Sequence, residues 1–276
     1  MKLCRFTQLD FFQPHYGIIE GKVVRPLIDA DAFGSRPRAR ANKIPLSEVR
    51  LLAPVAPSKI VCVGRNYSEH AAELGNPMPD APLLFLKAPS AVIASGERIE
   101  LPPESAQVEL EGELGVVIGR QACRLDEGDD PLAYVLGYTC ANDVTARDLQ
   151  RRDLQFTRAK SFDTFCPVGP FIATDLDPLD VLITSRLNGE TRQRARTSSM
   201  AFSVSYLVRY ISRMMTLLPG DLILTGTPAG VSKLSAGDTV EVEVEGVGTL
   251  RNEVGRDLEA TCPEPDAESQ GDQSDS

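Results

Sequence analysis

Three glutamates at alternate positions in VELEGELGVVIG, residues 108–119, are the side chains best placed by type and spacing to do chemistry. Read as a β-strand, the segment turns Glu109, Glu111 and Glu113 to one face and Leu110, Leu114 and Val116 to the other. Carboxylates so spaced stand about 7 Å apart and repel by roughly 2 kcal/mol per pair at an effective dielectric of about 20. A face like that is either solvated on an edge strand or neutralised by a cation. TVEVEVEGVG, residues 239–248, illustrates the first case, because its glutamates alternate with valines and no other polar signal gathers there. The first set differs. Some thirty residues on, GYTCANDVTARDLQ places Asp143 directly after a strand, where the chain turns toward a helix. A third carboxylate there can complete a site with two of the strand glutamates. Oxygen-only ligation suits a hard divalent cation, Mg²⁺, Mn²⁺ or Ca²⁺, rather than zinc.

Two further signals could act beside such an ion. The chain has only two histidines, and His70 lies on a short helix with Glu73 three residues later on the same face. A carboxylate against imidazole fixes its tautomer and favours the protonated form, which suits a general base, although many such pairs are surface contacts. In RAKSFDTFCPVGP, Lys160 is followed by Thr164 and a Pro–Gly turn. A lysine near a metal can hold a substrate carboxylate or steady an enolate, though a surface lysine at a strand entry explains the same residue. TGTPAGV, residues 225–231, lacks the Gly-Lys-Ser/Thr ending of a phosphate loop. Its backbone amides and Thr227 could receive a carboxylate instead.

The elements that must position these groups are mostly strands: IVCVG, the glutamate segment, YVLGYTCAND, VGPFIAT, LDVLITSRL, DLILTG and TVEVEVEGVGTLRNEV. Asn188-Gly189 predicts a type I′ hairpin, since both residues tolerate positive φ, and EVEVEGVGTL reads as a second hairpin, of unassigned turn type, turning at Glu245-Gly246. Two helices are predicted: a short one with Ser68 as N-cap and Gly75 as its stop, and an amphipathic one over residues 201–217. The class is α+β, β-rich, closer to a rolled sandwich than to a parallel βαβ protein. We divide the chain into a small N-terminal domain (1–55), a catalytic metal-binding domain (56–256) and a disordered acidic tail (257–276).

Composition narrows the function classes. Of 276 residues, 42% are hydrophobic and 25% charged, an ordinary globular balance. The net charge is −10, and Glu264, Asp266, Glu268, Asp272 and Asp275 of the tail account for half of it. The folded part therefore shows no basic excess for nucleic acid. No apolar run approaches a membrane span, and the N-terminus lacks an apolar signal core. Six scattered cysteines without a CxxC pair predict free thiols and a cytoplasmic protein.

GRNYSEHAAE, VELEGELGVVIG, GYTCANDVTARDLQ, AKSFDTFCPVGP, NGETRQ, PGDLILTGTPAGV and GVGTLRNEV occur in this order. Together they resemble the fumarylacetoacetate hydrolase family, specifically its smaller bacterial-type members, from about Lys59 to Val254. The resemblance implies a mixed β-sandwich roll of that family's C-terminal-domain type, a homodimer and a bound Mg²⁺ or Mn²⁺. By the same resemblance the metal carboxylates fall on Glu111, Glu113 and Asp143, with Glu109 a flanking acid. His70 and Glu73 match the proton-shuttling pair and Lys160 the active-site lysine. Thr164 lies where some members have a metal-proximal threonine. Arg147, Gln150 and, less closely, Thr227 match substrate-contacting positions. The aspartate that larger animal-type members carry upstream of the histidine is missing from VGRNYSEH.

Residues and resemblance point to a 2-oxo acid substrate that chelates the metal through two oxygens. Water activated by His70 and Glu73 would cleave a carbon–carbon bond, or the enolate would form by decarboxylation of an oxaloacetate-type substrate. Isomerisation of an unsaturated 2-oxo dicarboxylate, as in aromatic catabolism, is the alternative within the same site. A metal-stabilised binding protein without turnover is the alternative of another class.

Overall fold

The computed structural model describes residues 1–8, 11–28, 33 and 37–256. The acidic tail lies outside the described residues. The fold is α+β and rich in strands, as expected. Among the described residues the strands form a twelve-stranded sheet and smaller sheets of three and five.

The strand Gly112–Ile118 sits inside the large sheet, antiparallel to Val135–Asn142 on one side and to Leu222–Leu224 on the other. Both its faces are covered. Leu114, Val116 and Ile118 pack with Val242, Val244 and Leu207, whereas Val117 packs with Leu222, Val240 and Phe165. Burial on two sides explains why GVVIG is continuously apolar. Leu222–Leu224 runs parallel to Ile60–Gly64, which pairs with Leu83–Lys87. In the other direction Val135–Asn142 pairs with Cys166–Ala173, and that strand with Lys2–Gln8. The sheet thus continues into the N-terminal segment.

The five-stranded sheet packs its valines inward and leaves Glu241 and Glu243 half-buried and Glu245 exposed. Its first hairpin turns at Asn188 and Gly189 with φ of +54° and +81°, the left-handed pair a type I′ turn requires. The Asn188 amide donates to Asp238 at 2.8 Å and its Oδ1 accepts the Thr239 N–H at 2.9 Å. The second hairpin turns at Glu245 and Gly246 as expected.

Among the described residues there are four α-helices: α1 Ser68–Glu73, α2 Arg147–Arg152, α3 Thr157–Lys160 and α4 Val204–Met214. Two sequence expectations need correcting at their ends. Ser68 is the first helical residue of α1, and extended Tyr67 is its cap. α4 is shorter than 201–217, because Ser203 caps it by accepting the Tyr206 N–H and Met215 returns to extended backbone.

The larger correction concerns the glutamates. VELEGELGVVIG is two strands, Val108–Leu110 in the three-stranded sheet and Gly112–Ile118 in the large one. Glu111 is the joint between them. Its N–H donates to Asn142 Oδ1 at 2.9 Å and its carbonyl accepts the Asp143 N–H at 2.8 Å. Strict alternation therefore breaks at Glu111, and all three glutamates are buried rather than lined along a solvated face.

Candidate active site

Glu111, Glu113 and Asp143 converge from the strand joint, the large-sheet strand and the turn after Val135–Asn142. One carboxylate oxygen from each lies within 4.8 Å of the other two, and all three residues are buried. Gly112 makes the convergence possible. A Cβ built there would stand 1.9 Å from Ser185 Oγ, so the residue between the glutamates has no room for a side chain.

Buried cations surround the acids. Lys160 Nζ, at the end of α3, donates to Glu111 Oε2 and Asp143 Oδ2, each at 2.7 Å. Lys87 Nζ donates to Asp143 Oδ1 at 2.6 Å and to the Val144 carbonyl at 3.1 Å. Arg147 Nε donates to Glu109 Oε2 at 2.8 Å, its Nη2 to Glu111 Oε1, and its Nη1 to Gln150 Oε1 at 2.6 Å. Glu109 also accepts from Gln107 Nε2 at 2.5 Å, which makes it an anchor for Arg147 and leaves it outside the triad.

Glu113 is the exception in this network. Its Oε2 accepts the Gly226 N–H at 2.6 Å, and among the described residues it has no cationic partner. Burial, then the charges of Asp143 and Glu111, push its carboxyl well above the usual 4.5. Glu111 shifts the other way. Burial alone would raise it, but Lys160 and Arg147 outweigh that and hold it far below the carboxylate range. Burial works against the charge of Lys160 as well, and Asp143 and Glu111 overcome it, so its pKa is raised and the ammonium stays charged. Glu109, Glu111, Glu113 and Asp143 thus face three buried cations, Lys87, Arg147 and Lys160. One acid is left over, and a buried carboxylate must be paired, protonated or bound to a metal. Three carboxylate oxygens at this spacing are a donor set for Mg²⁺, Mn²⁺ or Ca²⁺.

His70, on α1, is buried and lines the same cavity as the acid cluster. Its Nδ1 lies 3.1 Å from Glu73 Oε2, and the Gly230 N–H donates to Glu73 Oε1 at 3.0 Å. With Nδ1 engaged, Nε2 is the nitrogen left for other chemistry.

A cavity of about 200 Å³ is lined by His70, Glu111, Glu113, Asp143, Arg147, Gln150, Lys160 and Thr227. Glu73 sits behind His70 and does not line it. Thr164 is not brought to the site: its Oγ1 accepts the Glu100 N–H at 2.8 Å, which ties the chain before Cys166–Ala173 to the strand Arg98–Glu100. Arg147 lines the cavity with Nε, Nη1 and Nη2 all bonded to protein. Thr227 is similarly engaged, donating to the Gly112 carbonyl at 3.0 Å and accepting from Gln193 Nε2 at 2.7 Å.

Three residues near the site went unread in the sequence. Lys87 ends the apolar run LLFLK just before Ala-Pro, and a lone charge closing a buried strand was its signal. Gln193, with no exposed surface, bonds the Gly112 N–H through Oε1 at 2.8 Å; nothing distinguishes it among the polar residues of ETRQRAR. Arg65 lines the cavity with φ at +57°, a left-handed conformation that costs an L-residue about 1–2 kcal/mol. Its neighbour Asn66 holds the bend: buried, it donates to the Phe202 and Thr225 carbonyls and accepts the Phe202 N–H.

The Fumarylacetoacetate (FAA) hydrolase C-terminal family model matches residues 59–255, and the Rv2993c-like N-terminal model matches residues 1–54. The chain is 51% identical over 227 residues to Protein Rv2993c of Mycobacterium tuberculosis, covering 81% of this chain and 85% of that one. It is 39% identical over 264 residues to Oxaloacetate tautomerase YisK of Bacillus subtilis, covering 86% and 87%. Among solved structures, 2-hydroxyhepta-2,4-diene-1,7-dioate isomerase from Mycobacterium marinum superposes with a TM-score of 0.85 at 44% identity, covering 93% of this chain and all of that one. Fumarylpyruvate hydrolase from Pseudomonas aeruginosa, solved with Mn²⁺ and pyruvate, gives 0.69 at 33% identity, covering 75% and 92%.

Proposed function

Since this chain belongs to the fumarylacetoacetate hydrolase family, we propose that it is a divalent-metal-dependent enzyme that moves a proton between carbon and oxygen of an enolisable 2-oxo dicarboxylic acid. The observation that carries the reading is Glu113, a buried carboxylate with no cationic partner among the described residues, held within 4.8 Å of Glu111 and Asp143 in a cavity that His70 also lines. Those three residues would hold the ion. Bound Mg²⁺ or Mn²⁺ would supply Lewis acidity toward the oxygens of a 2-oxo acid.

The chain's own groups then divide the work. Glu73, fixed by Gly230, keeps His70 Nδ1 hydrogen-bonded, so Nε2 takes the proton from the carbon beside the carbonyl and delivers it to the enolate oxygen, and carries it the other way when the enol becomes the keto form. Lys160 stays charged between Glu111 and Asp143 and stabilises negative charge that develops on oxygen. Arg147 acts through Glu111, whose orientation it fixes, and Gln150 keeps its amide nitrogen for the substrate. The cavity is smaller than the roughly 300–1,000 Å³ of drug-sized ligand sites, which suits a short-chain diacid.

The sequence ranks hydrolysis or decarboxylation first. The similarity to proteins named as a tautomerase and an isomerase moves proton transfer ahead of them. Carbon–carbon hydrolysis stays as the second reading, favoured by the similarity to fumarylpyruvate hydrolase. Association into a homodimer belongs to the same proposal, with the molar mass in solution as its check.

Enol-to-keto conversion of oxaloacetate, followed by absorbance with Mn²⁺ and again with EDTA, tests the reading. Turnover that needs the metal and disappears in His70→Ala supports it. Metal binding without turnover on oxaloacetate, acylpyruvates or unsaturated 2-oxo dicarboxylates would make the protein a binder instead. Release of cleaved products, seen by mass, would restore hydrolysis or decarboxylation.

A further inference from the structure

Four cationic side chains line the cavity: Arg65, Arg147, Arg151 and Lys160. Three have protein partners. Arg147 is bonded to Glu109, Glu111 and Gln150, Lys160 to Glu111 and Asp143, and Arg151 to Gln107 at 3.2 Å. Arg65 is half-buried and has neither a hydrogen bond nor an ion pair among the described residues.

Its backbone adds an independent observation. Arg65 joins the strand Ile60–Gly64 to the turn into α1, and its φ of +57° is unusual for a residue with a side chain. Such a conformation lasts only where its surroundings over-determine it. Here Asn66 supplies that constraint through its three bonds to Phe202 and Thr225. Gly226, against which a Cβ would stand 2.8 Å from Asn66 Cβ, closes the other side. The Gly226 N–H is also the donor to Glu113. The bend that sets Arg65 is therefore built on the same loop that bonds the acid triad. Apolar Leu74, Leu83 and Phe85 line the same cavity.

We propose that Arg65 is the specificity-determining residue that receives the second carboxylate of the substrate. This rests on the function proposed above and deepens it: the 2-oxo acid end lies at the acid cluster, and the guanidinium selects dicarboxylates over 2-oxo monocarboxylates. A planar guanidinium can hold a carboxylate by two parallel hydrogen bonds. Arg65 takes no part in the proton transfer.

The test compares wild type with Arg65→Asn, which tolerates the left-handed backbone, and with Arg65→Lys, which keeps the charge. Oxaloacetate and 2-oxobutanoate serve as dicarboxylate and monocarboxylate probes of carbon-3 deuterium exchange. N-oxalylglycine and oxamate, which share a 2-oxo-acid-like end and do not enolise, serve as binding probes by calorimetry with Mn²⁺ present. The expected result is a rise in KM for oxaloacetate and in Kd for N-oxalylglycine of about tenfold to a hundredfold in Arg65→Asn. The kcat for oxaloacetate, turnover of 2-oxobutanoate and affinity for oxamate should change less than about threefold, with Arg65→Lys intermediate. Equal losses for both probes, or no loss for either, would overturn the proposal. Absence of wild-type turnover on every 2-oxo acid would instead sink the enzymatic reading, while the binding comparison would still decide whether Arg65 reads a carboxylate. Should Arg65→Asn fail to fold, Arg65→Lys and Arg65→Gln give the same comparison.

Discussion

Asp143 Oδ1 lies 2.6 Å from the Nζ of Lys87, a lysine with 0% of its side chain exposed. Its other oxygen is held by Lys160, so a carboxylate of the acid cluster is gripped from a strand end and a helix end that share no local motif. Removing one partner of a buried ion pair costs about 3–5 kcal/mol, because the other charge is stranded. Lys87→Met should therefore lower the melting temperature of metal-free protein by on the order of 10 °C. Added Mn²⁺ should recover more of that loss than it adds to wild type, since the cluster has gained a net negative charge. Melting curves with EDTA and with Mn²⁺ check this; identical curves for the two proteins would contradict it.

Glu113 predicts a pH dependence of the opposite sign to that of an ordinary salt-bridged acid. Its folded-state pKa is raised, so the folded protein holds a proton that the unfolded chain has lost. Its contribution to stability falls as pH rises from about 4.5 toward the raised value, and the slope is negative over that window. Glu113→Gln should remove this slope. Mn²⁺ binding should release close to one proton wherever Glu113 is protonated, measurable by calorimetry in buffers of different ionisation enthalpy. Heats of binding independent of buffer throughout that window would refute the assignment.

The His70–Glu73 pair separates chemistry from metal binding. Loss of a general base typically costs about 10²–10⁴-fold in rate. His70→Ala should show a loss of that size in kcat, and Glu73→Gln a smaller one, because the imidazole remains but its Nδ1 partner is weakened. Neither substitution should change Mn²⁺ affinity by more than a few-fold. A variant that lost metal together with activity would place the histidine among the ligands.

Gly112 joins fold to site, because a side chain there would collide with Ser185 Oγ at 1.9 Å and force Glu111 and Glu113 apart. Gly112→Ala should destabilise the protein by about 1–3 kcal/mol and weaken Mn²⁺ binding. The double variant with Ser185→Ala should recover part of both, as the nearest atoms then stand at 3.2 Å. A single variant with unchanged metal affinity would show that the spacing is not set there.

These residues also show what the sequence made legible. Asp143 was readable because a strand ends just before it, and Asn188-Gly189 because positive φ has a local residue code. The burial of Glu109 was not, since its partner Arg147 lies 38 residues away and alternation alone looks the same on a wet face as in a core. The break at Glu111 depends on Asn142 taking its N–H, a long-range bond with no local signature. Gln193 has no local signature for the same reason, being a polar residue whose burial is decided by distant strands. The pairing of Lys2–Gln8 with Cys166–Ala173 is likewise set across most of the chain.

Anomalous diffraction from crystals soaked in Mn²⁺ addresses the cation itself. The account predicts a single strong peak within coordination distance of carboxylate oxygens from Glu111, Glu113 and Asp143 together, lost in Glu113→Gln. A peak elsewhere, or none at millimolar Mn²⁺, would contradict it.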